Sequence, residues 1–109
     1  MCNVKTLTEN HRGYIAQCLK CNRIVLRFET THVELKKDDF FDFHLQVRNL
    51  IKRAKNITDK NSKCFHLSTF SENSKMVLTH YEIVDLSEML SAASNMLVVY
   101  DLLYKKEVE

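Results

Sequence analysis

Three cysteines near the N-terminus are the residues best suited to carry chemistry. Cys18 and Cys21 form a CxxC motif, and Cys2 lies near the start of the chain. A hairpin that turns at residues 10–13 would place Glu9 opposite Tyr14 and Cys2 opposite Cys21, within a residue or two of register. Thiolates grouped in this way can hold a zinc ion or form a redox pair. They can also remain reduced, buried structural thiols.

A zinc site built on these three thiolates needs a fourth ligand, because zinc prefers four tetrahedral ligands. His11 is excluded, since it lies at the far end of the hairpin from Cys2, roughly 30 Å away at ~3.3 Å per residue. Cys64 and His66 are better candidates, because residues two apart on a strand share one face. The predicted metal ligands are therefore Cys2, Cys18, Cys21, Cys64 and His66.

The predicted strand context of the CxxC motif argues against a redox role. Redox CxxC motifs lie where a strand leads into a helix whose N-terminus lowers the thiol pKa, whereas this motif lies between two predicted strands. The sequence contains no nucleophile elbow, phosphate-binding loop or HExxH motif. It therefore indicates no catalytic residues, and we favour a non-enzymatic protein in which the thiols are either zinc ligands or buried structural groups.

The residues around the motif predict a four-stranded antiparallel meander. The strands are expected at 2–8, 14–18, 23–28 and 32–36, with Gly13 supplying a positive φ in the first turn. A helix follows, with Asp38 and Asp39 at its positively polarised start. Its apolar residues recur at spacings of three and four and form one stripe: Phe40, Phe43, Val47, Leu50, Ile51 and Ala54. On the same face, His44 is interpreted as a packed core residue.

The second half predicts a shorter strand–strand–helix unit and completes an α+β fold. Strands are expected at 64–70 and 75–79, and a helix begins near Tyr81. One face of this helix is apolar: Ile83, Leu86, Leu90, Ala93, Leu97 and Tyr100. We predict a single domain over 1–109, with a ββββα half (1–54), a linker (55–63) and a ββα half (64–109) that is a weak quasi-repeat of the first.

Residues 96–104 are apolar on nearly all sides, and the pattern fits the end of a long helix or a separate strand. In either case the segment would expose more apolar surface than a monomer usually does. We therefore predict a homodimer formed through this C-terminal segment.

Length and composition indicate a soluble globular protein. The chain has 109 residues, 45% hydrophobic and 28% charged, which suits one domain. No signal-peptide pattern is present, and the longest uninterrupted apolar run, residues 96–100, is far shorter than the ~20 residues of a membrane span. We predict a cytoplasmic protein without membrane contact, in which cysteines are thiols or metal ligands rather than disulfides.

Charge is distributed unevenly along the chain. Residues 1–63 carry a net charge of +6 and residues 64–109 a net charge of −4. A basic half can bind a polyanion, or it can simply be solvated. The residues that would contact a nucleic acid are Lys20, Arg23, Arg27, Arg48, Lys52, Arg53 and Lys55.

The first 50 residues resemble a family of small uncharacterised bacterial proteins. The resemblance is carried by the N-terminal cysteine, Gly13-Tyr14, the CxxC motif and Phe28-x-Thr30-Thr31. That family tends to have glycine where this chain has Glu29. The resemblance implies that the three cysteines are a shared feature, and it implies no particular activity. The predicted architecture is also similar to PUR-type nucleic-acid-binding repeats, in which basic and aromatic side chains on the sheet bind single strands; Phe28, however, is expected in the core.

Overall fold

The computed structural model describes residues 4–53, 65–68 and 75–108 and has the predicted α+β architecture. The elements in chain order are β1 (Val4–Asn10), β2 (Gly13–Cys18), β3 (Ile24–Phe28), β4 (Thr31–Leu35), α1 (Lys37–Arg53), β5 (Phe65–Ser68), β6 (Lys75–Leu78) and α2 (His80–Val108). Strands β1 to β4 form an antiparallel meander in sequence order, and β5 pairs with β6. The predicted linker at 55–63 and the turn at 71–74 lie outside the described residues.

The first hairpin has the predicted register at its turn and a bulge further along. Glu9 pairs with Tyr14, as expected, but the register shifts between Thr6 and Thr8, so that the ladder ends with Val4 opposite Cys18. The additional residue, Leu7, is buried and joins the core. A bulge of this kind lets a strand direct one more side chain inward than strict alternation would allow.

Gly13 is required for a different reason from the one predicted. Its φ is not positive, so the expectation of a left-handed glycine is wrong. Instead, a Cβ atom at this position would lie 1.8 Å from the carbonyl oxygen of Arg27 on the adjacent strand. Glycine is needed because the two backbones approach too closely for any side chain.

The core forms between the inner face of the four-stranded sheet, the two helices and the small sheet. Residues of both chain halves belong to it, including Phe28, Phe43, Leu67 and Leu90. The predicted α1 stripe is buried at Phe40, Phe43 and Val47 and partly buried at Leu50 and Ile51, while Ala54 lies outside the described residues. On α2, the predicted apolar face is buried from Ile83 to Leu97, and Tyr100 packs at its edge.

Helix α2 is continuous from His80 to Val108, so residues 96–104 are helical. Its N-terminus is closed by a capping box, in which Thr79 and Glu82 exchange hydrogen bonds. By length and composition alone, the segment His80–Leu103 could also cross a membrane, although 33% of its apolar window is buried inside the fold.

Candidate functional site at the cysteine turn

The CxxC motif forms the tight reversal between β2 and β3. Cys18 is the last residue of β2, and its backbone N–H donates to the carbonyl of Arg23 at 2.9 Å. The N–H of Asn22 donates to the carbonyl of Cys18, also at 2.9 Å. Asn22 has φ of 60°, a left-handed conformation that asparagine tolerates better than most residues. The two cysteines therefore flank a hydrogen-bonded turn.

The two thiols of this turn have different environments. Cys18 is 2% exposed, whereas Cys21 is exposed. Cys18 pairs with Val4 and alternates along β2 with Ile15 and Gln17, so it lies on the face of the sheet away from the helices. It is thus buried apart from the main apolar core. One thiol is sheltered by the protein, and the other is on the surface.

The structure describes three of the five predicted metal ligands. Cys2 and Cys64 lie outside the described residues. His66 is exposed on β5, between the inward-facing Phe65 and Leu67. In residues 4–53, 65–68 and 75–108, no three His, Cys, Asp or Glu side chains are placed to hold one metal ion. The predicted metal site therefore depends on Cys2 and Cys64.

A cavity of about 470 Å³ adjoins the cysteine turn and was not predicted. It is lined by Gln17 of β2, Leu19 and Asn22 of the turn, and Asp101 of α2. Gln17 is 5% exposed and is a buried polar residue on the inner face. Its position could have been noticed in the sequence, because a glutamine two residues after Ile15 interrupts the apolar side of a strand.

Two lysines make contacts with Tyr100 and Asp101 of α2, at the end of the sheet where the cavity lies. The Lys37 Nζ at the start of α1 forms an ion pair of 2.6 Å with Asp101 Oδ2. Lys5, which pairs with Gln17 in the β1–β2 ladder, holds its Nζ 4.2 Å from the centre of the Tyr100 ring. These contacts join β1, α1 and α2 around one end of the sheet. Sequence reasoning missed them, since they depend on how distant segments pack.

The predicted nucleic-acid contacts are exposed but lie on two layers. Arg27 is on the outer face of the sheet, between Tyr14 and His32 on the neighbouring strands. Lys20 and Arg23 are exposed in and beside the cysteine turn. Other basic residues are exposed on α1, which packs on the inner side: Arg48, Lys52 and Arg53. Lys55 lies outside the described residues, and Phe28 is buried in the core, as predicted.

His44 packs between the two helices, with hydrogen bonds that the sequence did not indicate. Its Nε2 lies 3.3 Å from the Ser91 hydroxyl and its Nδ1 lies 3.2 Å from the Ser94 hydroxyl. Burial, followed by the positive charge of Arg48, lowers the pKa of His44. The residue thus connects α1 to α2.

Comparison with known proteins yields one match. No curated protein and no solved structure matches the chain, so the similarity to PUR-type repeats gains no support. The model of a family of unknown function, DUF6686, matches residues 1–109. This agrees with the resemblance of the N-terminal half to a family of small uncharacterised proteins. Because the match spans the whole sequence, the chain belongs to this family of unknown function, DUF6686.

Proposed function

We propose that the protein is a small non-enzymatic interaction module that pairs with a second copy of itself through α2. The observation that carries this proposal is an exposed apolar stripe at the end of the helix. It consists of Val98, Val99, Leu102 and Leu103, which are 44–59% exposed. Adjacent apolar side chains exposed to this degree are typical of surfaces that bind a partner.

The stripe continues a face of α2 that is solvent-exposed along its whole described length. Tyr81, Glu88, Asn95 and Leu102 follow one another at intervals of seven residues, and all are exposed. The middle of this face is polar, and its two ends carry large apolar side chains. Residues at a spacing of seven occupy the same side of a helix, as in the seam of a coiled coil.

A second copy fits this face in an antiparallel arrangement. About a two-fold axis, Tyr81 would lie opposite the partner's Leu102, and Glu88 opposite the partner's Asn95. This pairing places an aromatic ring against an aliphatic side chain and opposes a carboxylate with a neutral amide, so no like charges meet. A stable dimer buries about 800 Å² per partner, which a 29-residue helix can supply along its length.

The proposal is tested by light scattering of the purified protein over a range of concentrations. The mass should rise above the 12.8 kDa of one chain towards twice that value. Leu102→Glu should weaken association about tenfold or more, because it places a charge in the apolar contact. The matched control is Leu45→Glu on α1. Leu45 is an exposed leucine outside the proposed interface, so this change should leave self-association unaltered.

The antiparallel register has its own test at Asn95. Asn95→Lys should tighten association through the opposing Glu88, and Asn95→Glu should loosen it. A monomer at every concentration would contradict the proposal. Flotation of the monomer with lipid vesicles, abolished by Leu102→Glu, would instead assign the stripe to a membrane surface and would equally contradict it.

The cysteine turn supports a zinc-type ion as a structural part of this module. Two observations support it. Cys18 and Cys21 flank a hydrogen-bonded turn. Val4, which follows Cys2 by two residues in the sequence, pairs with Cys18. Thiolates on a knuckle-like turn are common ligands of structural zinc. Cys64 would complete the proposed site, because Cys18, Cys21 and His66 are not placed to hold one ion together.

Elemental analysis of protein purified without added metal tests this part. One equivalent of zinc is expected, and Cys21→Ser should lose both the metal and stability. Cys64→Ser and His66→Ala, compared with each other, identify the fourth ligand. Metal-free protein that unfolds unchanged after Cys21→Ser would contradict the zinc site and leave the dimer proposal intact.

Nucleic-acid binding is the second candidate, favoured by one row of side chains on the open sheet face. Tyr14, Arg27 and His32 lie side by side across β2, β3 and β4. An aromatic ring and a guanidinium in such a row can stack on bases and neutralise phosphates. Salt-dependent binding of a single-stranded oligonucleotide, weakened by Arg27→Ala, is the expected result; no binding at low salt would contradict it.

A further inference from the structure

We propose that the cavity beside the cysteine turn binds a nucleobase-like ligand, a small planar heterocycle with adjacent hydrogen-bond donor and acceptor groups. The cavity is defined by Gln17, Leu19, Asn22 and Asp101 and has a volume of about 470 Å³. Sites for small molecules are usually concave spaces of about 300–1,000 Å³ with a few placed polar groups. This inference goes beyond the proposed self-association and does not depend on it.

Gln17 is the polar residue that most directly indicates a bound ligand. It is 5% exposed and faces the cavity from the floor of the sheet. Within the described residues no hydrogen bond joins its carboxamide to another residue. The only buried side-chain N or O atom without a partner among the described residues is His80 Nδ1, so the Gln17 amide is accessible from the cavity. A carboxamide that opens onto a cavity can hydrogen-bond a ligand there. The neighbouring inward residues of the sheet, Ile15 and Ile24, are apolar and fully buried.

The other polar groups define which ligand would fit. A carboxamide presents one acceptor and two donors, and it can pair side by side with the donor–acceptor edge of a base. Asn22 provides a second carboxamide at the rim. Asp101 contributes a hydrogen-bond acceptor. Its Oδ2 forms an ion pair with the Lys37 ammonium, and its side chain is still 48% exposed.

The shape and charge of the surroundings favour a heterocycle over a simple anion. The charge of Lys37 is balanced by Asp101, and the Lys5 ammonium is held over the Tyr100 ring. No cation therefore points into the cavity from these pairs. Leu19 supplies an apolar wall, against which the face of a flat ring can pack.

The experiment uses the full chain and four nucleosides as probes: adenosine, guanosine, cytidine and uridine. Isothermal titration and ligand-observed NMR should reveal saturable 1:1 binding of at least one of them. Gln17→Met, which has nearly the same shape without the amide, should weaken that binding about tenfold or more. Asp101→Asn should weaken the binding of a ligand that donates a hydrogen bond to the carboxylate, such as guanosine. It should weaken the binding of other ligands less.

Stability measurements distinguish a ligand group from a structural one. Gln17→Met should leave the melting temperature unchanged or higher, since the amide makes no hydrogen bond to another described residue and the methionine keeps the apolar part of the side chain. A marked fall would show that the amide supports the fold and would overturn the proposal. The matched control is Gln46→Met on α1, away from this cavity, which should alter neither binding nor melting.

Two further results would also overturn the proposal. One is the lack of saturable binding by all four nucleosides. The other is equal binding of free ribose, which would mean that the sugar and not the base is recognised.

Discussion

Glu29 occupies a backbone conformation that suits glycine, and one arginine explains how it is held there. Its φ is 54°, in the left-handed region. Its carboxylate accepts a hydrogen bond of 2.6 Å from Arg12, and its N–H donates to the Arg12 carbonyl at 2.7 Å. Arg12 also donates to Asp85 on α2, and hydrogen bonds to Asp85 and then Glu29 raise its pKa. One guanidinium therefore connects two sheet turns and a helix.

Replacing Glu29 separates the backbone effect from the ion pair. Both Glu29→Gly and Glu29→Ala remove the carboxylate, but only glycine relieves the left-handed strain. We expect the glycine variant to be more stable than the alanine variant by about 1 kcal/mol in urea unfolding. The ion pair itself contributes little, because the Glu29 side chain is 44% exposed. Equal stabilities of the two variants would contradict this account.

At the level of elements, the start of α2 is set by a short local motif. The Glu82 N–H donates to the Thr79 hydroxyl at 3.1 Å, and the Thr79 N–H donates to the Glu82 carboxylate at 2.9 Å. These bonds satisfy two of the backbone donors that the first helical turn and its cap would otherwise leave unpaired. The sequence Thr-x-x-Glu before an apolar stripe predicts such a cap, and it places the helix start at His80 rather than Tyr81.

Removing the cap should destabilise the protein without changing its fold. Thr79→Ala is expected to lower the free energy of unfolding by about 1 kcal/mol, because the hydroxyl acceptor is lost. Thr79→Ser keeps the acceptor and serves as the control, with a loss of no more than a few tenths of a kcal/mol. Thermal unfolding followed by circular dichroism measures both; equal losses would contradict a capping role.

The elements could be predicted from sequence to the extent that each depends on local periodicity. The alternation in β3 and the stripe on α1 indicated their structures directly, and the turn pairing of Glu9 with Tyr14 followed from counting. The bulge at Leu7 could not be predicted, because its position depends on how the Leu7 side chain packs in the core. The cavity was also missed, because Gln17 and Asp101 line one space only when α2 packs across the sheet.

For the whole molecule, His44 provides a pH-sensitive contact between the two helices. In the neutral ring one nitrogen donates and the other accepts, and the hydroxyls of Ser91 and Ser94 can match both roles. Protonation adds a positive charge in a half-buried position near Arg48. Both burial and Arg48 therefore lower the pKa of His44 in the folded protein.

The sign of the resulting pH dependence follows from linkage. Because the pKa of His44 is lower in the folded state, the unfolded chain binds the proton more readily. The stabilising contribution of neutral His44 is complete above its pKa in the unfolded chain, about 6.5. This contribution is lost as the pH falls through the pKa of His44 in the folded protein. Urea unfolding should thus show less stability in mild acid than at neutral pH. His44→Gln should reduce this difference, and an unchanged profile would argue against the contact.

The cavity and the cysteine turn share Leu19 and Asn22 as wall residues, which would link the two proposed binding events thermodynamically. An ion bound by the thiols, or their oxidation, would fix the turn and so alter the wall that the ligand contacts. By reciprocity, a ligand whose affinity changes by some factor when metal binds must change the metal affinity by the same factor. The short loop between β2 and β3 would then make the occupancy of each site depend on that of the other.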